Sequence, residues 1–448
     1  MIKYTRLFIT FLLAICMLEA RSQSTATTSS PYSRYGIGDF DAQTLPQNIG
    51  MGGIATATNT ISGFNTINTV NPAAYGNINF TVIDAGFYSN SLTLSQSGFS
   101  NVKTSNTRLS HLAFAFPVTR HSALGLGLLP YTELGYNYIQ SSPKGFGTSS
   151  PTDTNAVNYL YTGEGSLSKA YIGYGFGIGK HLTLGANASY IFGNLKEDQS
   201  TEVPALSNFL NSRIEQDNHV GGFNFDFGAQ YTFDFSATKH LVFGYSAAVG
   251  NKINVQNSFI VSQYYFDSTG NENVPTDSLI NTKNTKSTIQ LPWINHYGIS
   301  YQKEAAFESG ASYIIGVDYT TANWSNLSIG GTNAGLQNSR TINIGGQITP
   351  NPNALSNHFL VMSYQLGFIY EDTYLNINNT DIKKQAVTLG LGIPLPHDRA
   401  SSAFYKVNFS TEIGQRGTLA NGLVKENYVN FHLAFTLNDR WFQRYKYE

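Results

Sequence analysis

Residues 428–437 read YVNFHLAFTL. In an extended chain, Val429, Phe431, Leu433, Phe435 and Leu437 fall on one face and Tyr428, Asn430, His432, Ala434 and Thr436 on the other, because strand side chains alternate. The period recurs in GGFNFDFGAQYTFD (221–234), where phenylalanines alternate with Asn224, Asp226 and Gln230, and in FYKVNFSTEIG (404–414), where Lys406, Asn408, Ser410 and Glu412 share a face. A lysine or arginine facing the bilayer midplane costs about 2–4 kcal/mol, and acidic residues less. The charged faces are therefore expected to line a lumen and the aromatic faces to meet lipid. That is the pattern of a transmembrane β-barrel.

About fourteen such segments bounded by turn residues can be read. They lie near 79–95, 107–117, 122–140, 166–178, 181–194, 219–234, 240–256, 288–302, 311–324, 338–349, 358–371, 382–394, 402–415 and 426–437. An even number suits a single-chain bacterial barrel. Connectors such as TRHS, IGK and FSATKH are short, whereas 141–165, 195–218 and 251–287 are polar and read as long outer loops. The fold class expected is all-β: an antiparallel barrel spanning the outer membrane of a Gram-negative bacterium.

Composition agrees with this reading. Only 12% of the 448 residues are charged, the formal net charge is −1, and 13% are aromatic. Soluble domains carry about 25% charged residues. The mean hydropathy is below zero, unlike a helical membrane protein, and the absence of a basic block argues against a nucleic-acid partner. The opening residues set Lys3 and Arg6 before an apolar run at 7–18, which reads as a signal peptide over 1–22. The single cysteine, Cys16, falls inside it, so the mature chain is expected to hold no disulfide.

Residues 23–78 form an N-terminal arm and a stretch rich in Gly, Asn, Thr and Ala without sustained alternation, ahead of a barrel over 79–448 that ends in a short extension. A fourteen-stranded barrel is wider than the eight strands that side chains alone fill. A plug made from this stretch would close it. Its GMGG, with Gly50, Gly52 and Gly53, its ATAT at 55–58 and its NPAA, with Asn71 and Pro72, resemble the hatch of the FadL/TodX outer-membrane transporters of hydrophobic compounds. The ending from Gly414, GQRGTLANGLVKENYVNFHLAFTLNDRWFQRYKYE, and PYSRYGIGD near the mature start resemble the Bacteroidetes version of that family.

The resemblance implies a hatch inside a fourteen-stranded barrel and a passive route for a hydrophobic ligand such as a long-chain fatty acid or hydrocarbon. It also implies lateral release through the wall at a kinked third strand. Pro130, inside the third segment, is the candidate kink, with a simple bulge as the other reading; Pro292 in the eighth segment is a second strand proline. Within 251–287, FIVSQYYFD places Phe259, Ile260, Tyr264, Tyr265 and Phe266 close together, either as a ligand-entry surface or as an extension of the strand and its aromatic girdle. Asp226, Lys406, Glu412 and His432 are expected to be lumen-facing polar residues, the charged ones pairing with one another or with hatch residues such as Arg34 and Asp39. His432 reads as a structural histidine.

Common hydrolase, metalloprotease and dinucleotide motifs are absent from the sequence, so no catalytic residue, metal or cofactor is expected and the protein is not expected to be an enzyme. The partners expected are outer-membrane lipid and a hydrophobic ligand. A PorV-like docking or shuttle role, with type IX secretion proteins as partners, is the alternative.

Overall fold

The computed structural model describes residues 28–59, 64–142, 156–206, 209–267, 269–273, 278–305, 310–354, 357–396 and 403–441. The signal-peptide reading over 1–22 lies outside them. Fourteen antiparallel strands close into a barrel. In chain order they are β1 (Thr81–Gln96), β2 (Val102–Thr119), β3 (Ser122–Ser142), β4 (Val157–Ile178), β5 (Leu182–Glu202) and β6 (Asn211–Ser236). Two broken strands follow, β7 (Lys239–Ala248 with Lys252–Phe266) and β8 (Ser278–Gln290 with Ile294–Lys303). The set ends with β9 (Ser312–Ala322), β10 (Ser339–Thr349), β11 (Ser363–Ile377), β12 (Thr380–Pro394), β13 (Phe404–Gly417) and β14 (Val424–Asp439). Closure is made by β14 on β1, in register from Thr81↔Asp439 to Gln96↔Val424. No described helix is long and apolar enough to cross a membrane.

The two faces fall as the alternation requires. Phe223, Phe225, Phe227, Tyr231 and Phe233 are exposed on the outside of β6, while Asn224, Asp226 and Gln230 are buried inside. On β14, Phe431, Leu433 and Phe435 face out; Asn430, His432, Ala434 and Thr436 are buried.

Most of the described residues in the three stretches read as long loops are strand. Residues 157–165 belong to β4, 195–202 and 211–218 to β5 and β6, and 252–266 with 278–287 to β7 and β8. β6 alone has 26 residues, against about 9–11 needed to cross a bilayer. Beyond the lipid both faces of such a strand meet polar surroundings, so the apolar–polar alternation fades while the ladder continues.

β7 and β8 break side by side, at 249–251 and 291–293, where Pro292 offers no ladder N–H and Leu291 N bonds Asn251 O at 2.9 Å. The β9–β10 connection folds into the lumen beside this gap. Its Asn323 N bonds Trp293 O at 2.9 Å, and Ser328 and Ile329 pair with Gln290 and Ile289. Trp324, Leu327 and Leu336 from this connection join Tyr32, Ile37, Leu134, Leu167 and Ile191 in an apolar core at the long-strand end of the lumen.

The N-terminal stretch lies inside the barrel. Asn71 caps the short helical segment Pro72–Asn77, accepting from Ala73 N at 3.1 Å, and donates to Thr56 O at 2.8 Å. Asp318 on β9 accepts the N–H groups of Ala55 and Thr56, both at 2.7 Å. Thr388 on β12 accepts from Gly52 N at 2.8 Å and donates to Gly50 O at 3.1 Å.

Inward glycines let the hatch backbone lie against the wall. A Cβ on Gly228 would stand 2.0 Å from Asn71 Oδ1, one on Gly345 2.2 Å from Met51 O, and one on Gly367 2.0 Å from Gly52 N. Gly52 itself has φ +70°, and a Cβ there would meet Ile344 O at 2.6 Å. Gly367→Ala is therefore expected to push the hatch off β11, at the roughly 1–3 kcal/mol typical of overpacking. A lowered unfolding midpoint of the purified barrel is the readout, and an unchanged midpoint would show that the contact is slack.

Candidate functional site

Two features stand out: an interrupted seam in the wall and a cavity behind it. β2 and β3 are paired only from Leu112↔Leu128 to Thr119↔Ser122. Beyond Leu112, β2 continues to Val102 bonded to β1 alone, and β3 continues to Ser142 bonded to β4 on its other edge. Pro130 sits where the strands part, at a register shift between β3 and β4. This is the position read as the kink.

The N-terminal arm closes the seam. Asp39 and Phe40 pair antiparallel with Glu133 and Thr132 of β3, Asp41 N bonds Tyr131 O at 3.0 Å, and Gln43 Nε2 donates to Pro130 O at 2.6 Å. Ser33 Oγ accepts from Gly135 N at 3.0 Å. From the opposite edge, the Arg108 guanidinium of β2 bonds Asp41 at 2.7 Å and Glu133 of β3. One cation thus ties both edges of the seam to the arm.

Behind the seam lies a cavity of about 330 Å³, near the lower bound of about 300 Å³ for small-molecule sites. One end is aromatic. Phe40 meets Tyr131 and Trp324 edge-on, each at 5.4 Å, and Trp324 lies 4.7 Å from Tyr374. The other end is charged. Arg416 bonds Asp39 at 2.6 Å and Glu426 at 2.7 Å, Lys384 reaches Glu412 at 3.0 Å with Glu371 opposite it in register, and Lys169 bonds Asp226 at 2.7 Å.

The sequence-derived candidates are distributed among these features. Gly50, Gly52, Gly53, Asn71 and Pro72 lie in the lumen against the wall. Asp226, Glu412 and His432 line the cavity. The expected pairings are corrected: Asp226 meets Lys169 and Glu412 meets Lys384, Asp39 meets Arg416, and Arg34 lies over Tyr161, 4.1 Å from the ring centre. Lys406 donates to Ser363 at 3.2 Å and lies 5.7 Å from the Phe64 ring centre.

Phe259, Ile260, Tyr264, Tyr265 and Phe266 lie along β7 and not in a loop. Tyr264 is buried, packs edge-on to Phe266 and bonds Glu202. Arg108, Glu133, Lys384, Arg416 and Glu426 were not singled out from the sequence. Their signal was available, since a charged residue on a membrane strand is expected to point inward.

The family model described as BamG matches residues 1–448. The chain belongs to the BamG family. No curated protein matches the sequence. Among solved structures, the toluene transporter TbuX of Ralstonia pickettii is 15% identical, with a TM-score of 0.54 over 89% of this chain and 100% of that one. A FadL homologue of Pseudomonas aeruginosa is 11% identical, with a TM-score of 0.53 over 90% and 100%, and the Pseudomonas putida toluene transporter TodX is 13% identical, with 0.51 over 91% and 99%. At such identities the likeness establishes a shared FadL-like fold for this BamG-family chain.

Proposed function

We propose that the protein is a passive outer-membrane channel for small molecules with an apolar body and a polar head, which occupy the lumen cavity and leave sideways between β2 and β3. The seam carries this reading: half of one strand-to-strand junction is closed by a short arm pairing and side-chain bonds instead of a continuous ladder. The cavity supports it by joining an aromatic end to a charged one. No energy-coupling step is included, and no catalysis; inertness towards acyl esters tests the latter.

Phe40 and Thr132 are paired across antiparallel strands, and such neighbours have Cα separations of about 4.5–5.5 Å, which a disulfide spans. In a Phe40→Cys/Thr132→Cys variant, oxidation is expected to abolish uptake of an apolar tracer into proteoliposomes and reductant to restore it. Equal uptake in both states would remove the seam from the route.

The second reading is that Trp324, Leu327 and Leu134 keep the lumen shut and the barrel serves as a docking platform for secretion proteins. Mass spectrometry of gently purified material separates the two. A bound small molecule supports transport, and stoichiometric partner proteins with an empty cavity support docking.

A further inference from the structure

Among the described residues, eight carboxylates line the cavity against four cations. Arg416 is shared by Asp39 and Glu426 and Arg108 by Asp41 and Glu133, while Lys384 stands among Glu412 and Glu371. Lys169 is taken by Asp226, and Asp318 is held by backbone N–H groups of the hatch. Holding the arm and the seam explains the Arg108 and Arg416 pairs, and bracing nearby wall strands explains those of Lys169 and Lys384. Neither explains the surplus of acid.

A second observation points the same way. His432 lines this cavity and is only 7% exposed, yet among the described residues neither ring nitrogen has a hydrogen-bond partner. Its ring packs 5.0 Å from Tyr88. Buried polar atoms are nearly always bonded, and a neutral imidazole nitrogen is an acceptor for an N–H donor. A carboxylate ligand would have to compete for four cations already engaged. An ammonium group finds surplus carboxylate and an imidazole acceptor at the charged end, while its apolar body fits the aromatic end.

We propose that the lumen cavity selects small organic cations, an ammonium group on an apolar body, over neutral and anionic molecules of the same shape. The inference rests on the transport reading only for how the ligand is delivered, since binding is measured without flux.

The test is calorimetry on the full mature protein in lipid nanodiscs with three probes that share a phenyl body: phenethylammonium, phenethyl alcohol and 3-phenylpropanoate. Phenethylammonium is expected to bind about tenfold tighter than either of the others, and Glu371→Gln or His432→Leu to remove most of that preference. Equal affinities, a preference for the carboxylate, or no cation binding at millimolar concentration would overturn the proposal, and the wild-type ranking decides even if a variant fails to fold. Cation binding without entry into proteoliposomes sustains this inference and removes transport; entry of the alcohol with no preference for the cation does the reverse.

Discussion

Deleting residues 31–78 is expected to turn the closed barrel into an open pore, raising permeability to small hydrophilic antibiotics on the order of tenfold, since a fourteen-stranded wall is wider than its own side chains can fill. The hatch backbone presses on inward glycines from β6 to β12, including Gly228, Gly345, Gly367 and Gly390. Once the hatch is gone, these positions leave a hollow. Neighbouring wall strands pair without any residue of the segment, so the wall can still form, although the β2–β3 seam loses Asp39 and Phe40. Some stability is lost, because Arg108 and Arg416 lose Asp41 and Asp39. Removing one partner of a buried pair costs about 3–5 kcal/mol, less here because Glu133 and Glu426 remain. Single-channel conductance in planar bilayers is the direct check. A barrel that folds without the segment and still conducts nothing would show that the inward connection at 323–338 is the seal.

The fourteen strands were legible because lipid outside and polar contents inside impose a two-residue period on each of them. Residues 221–234 show this, with Phe225 exposed and Asp226 buried. The upper parts of β5 to β8 were not legible, because a strand beyond the lipid carries polar residues on both faces, as 195–202 does. Pro292 was visible, but its consequence depends on Leu327 and Leu336, more than thirty residues away, filling the lumen beside the break.

Charge partners were hidden for a similar reason. The period fixes which face a residue occupies, not which strand stands opposite it. Asp226 therefore meets Lys169 two strands back instead of Lys406. The open part of the seam is the hardest feature to foresee, because a missing ladder between β2 and β3 leaves no mark beyond Pro130.

Phe435→Arg is expected to abolish stable insertion, whereas Asn430→Arg should remain largely folded. Phe435 lies on the outer face of β14, 36% exposed, with its ring 5.9 Å from Tyr405. Arginine there loses the aromatic contact and adds about 2–4 kcal/mol if it sits near the midplane. β14 also pairs with β1 to close the barrel, so the defect falls on the closing junction. Asn430 sits five positions earlier on the inner face, beside the cavity, bonded to Asn90 at 2.6 Å. Arginine would break that bond, yet its guanidinium would enter an acid-rich cavity beside Glu412. The fraction of barrel migrating as the compact species on unheated gels, with the urea midpoint of what folds, reads both variants. Comparable losses at 430 and 435 would mean that lipid exposure is not what separates the two faces, and the inside–outside assignment of β14 would fall with it.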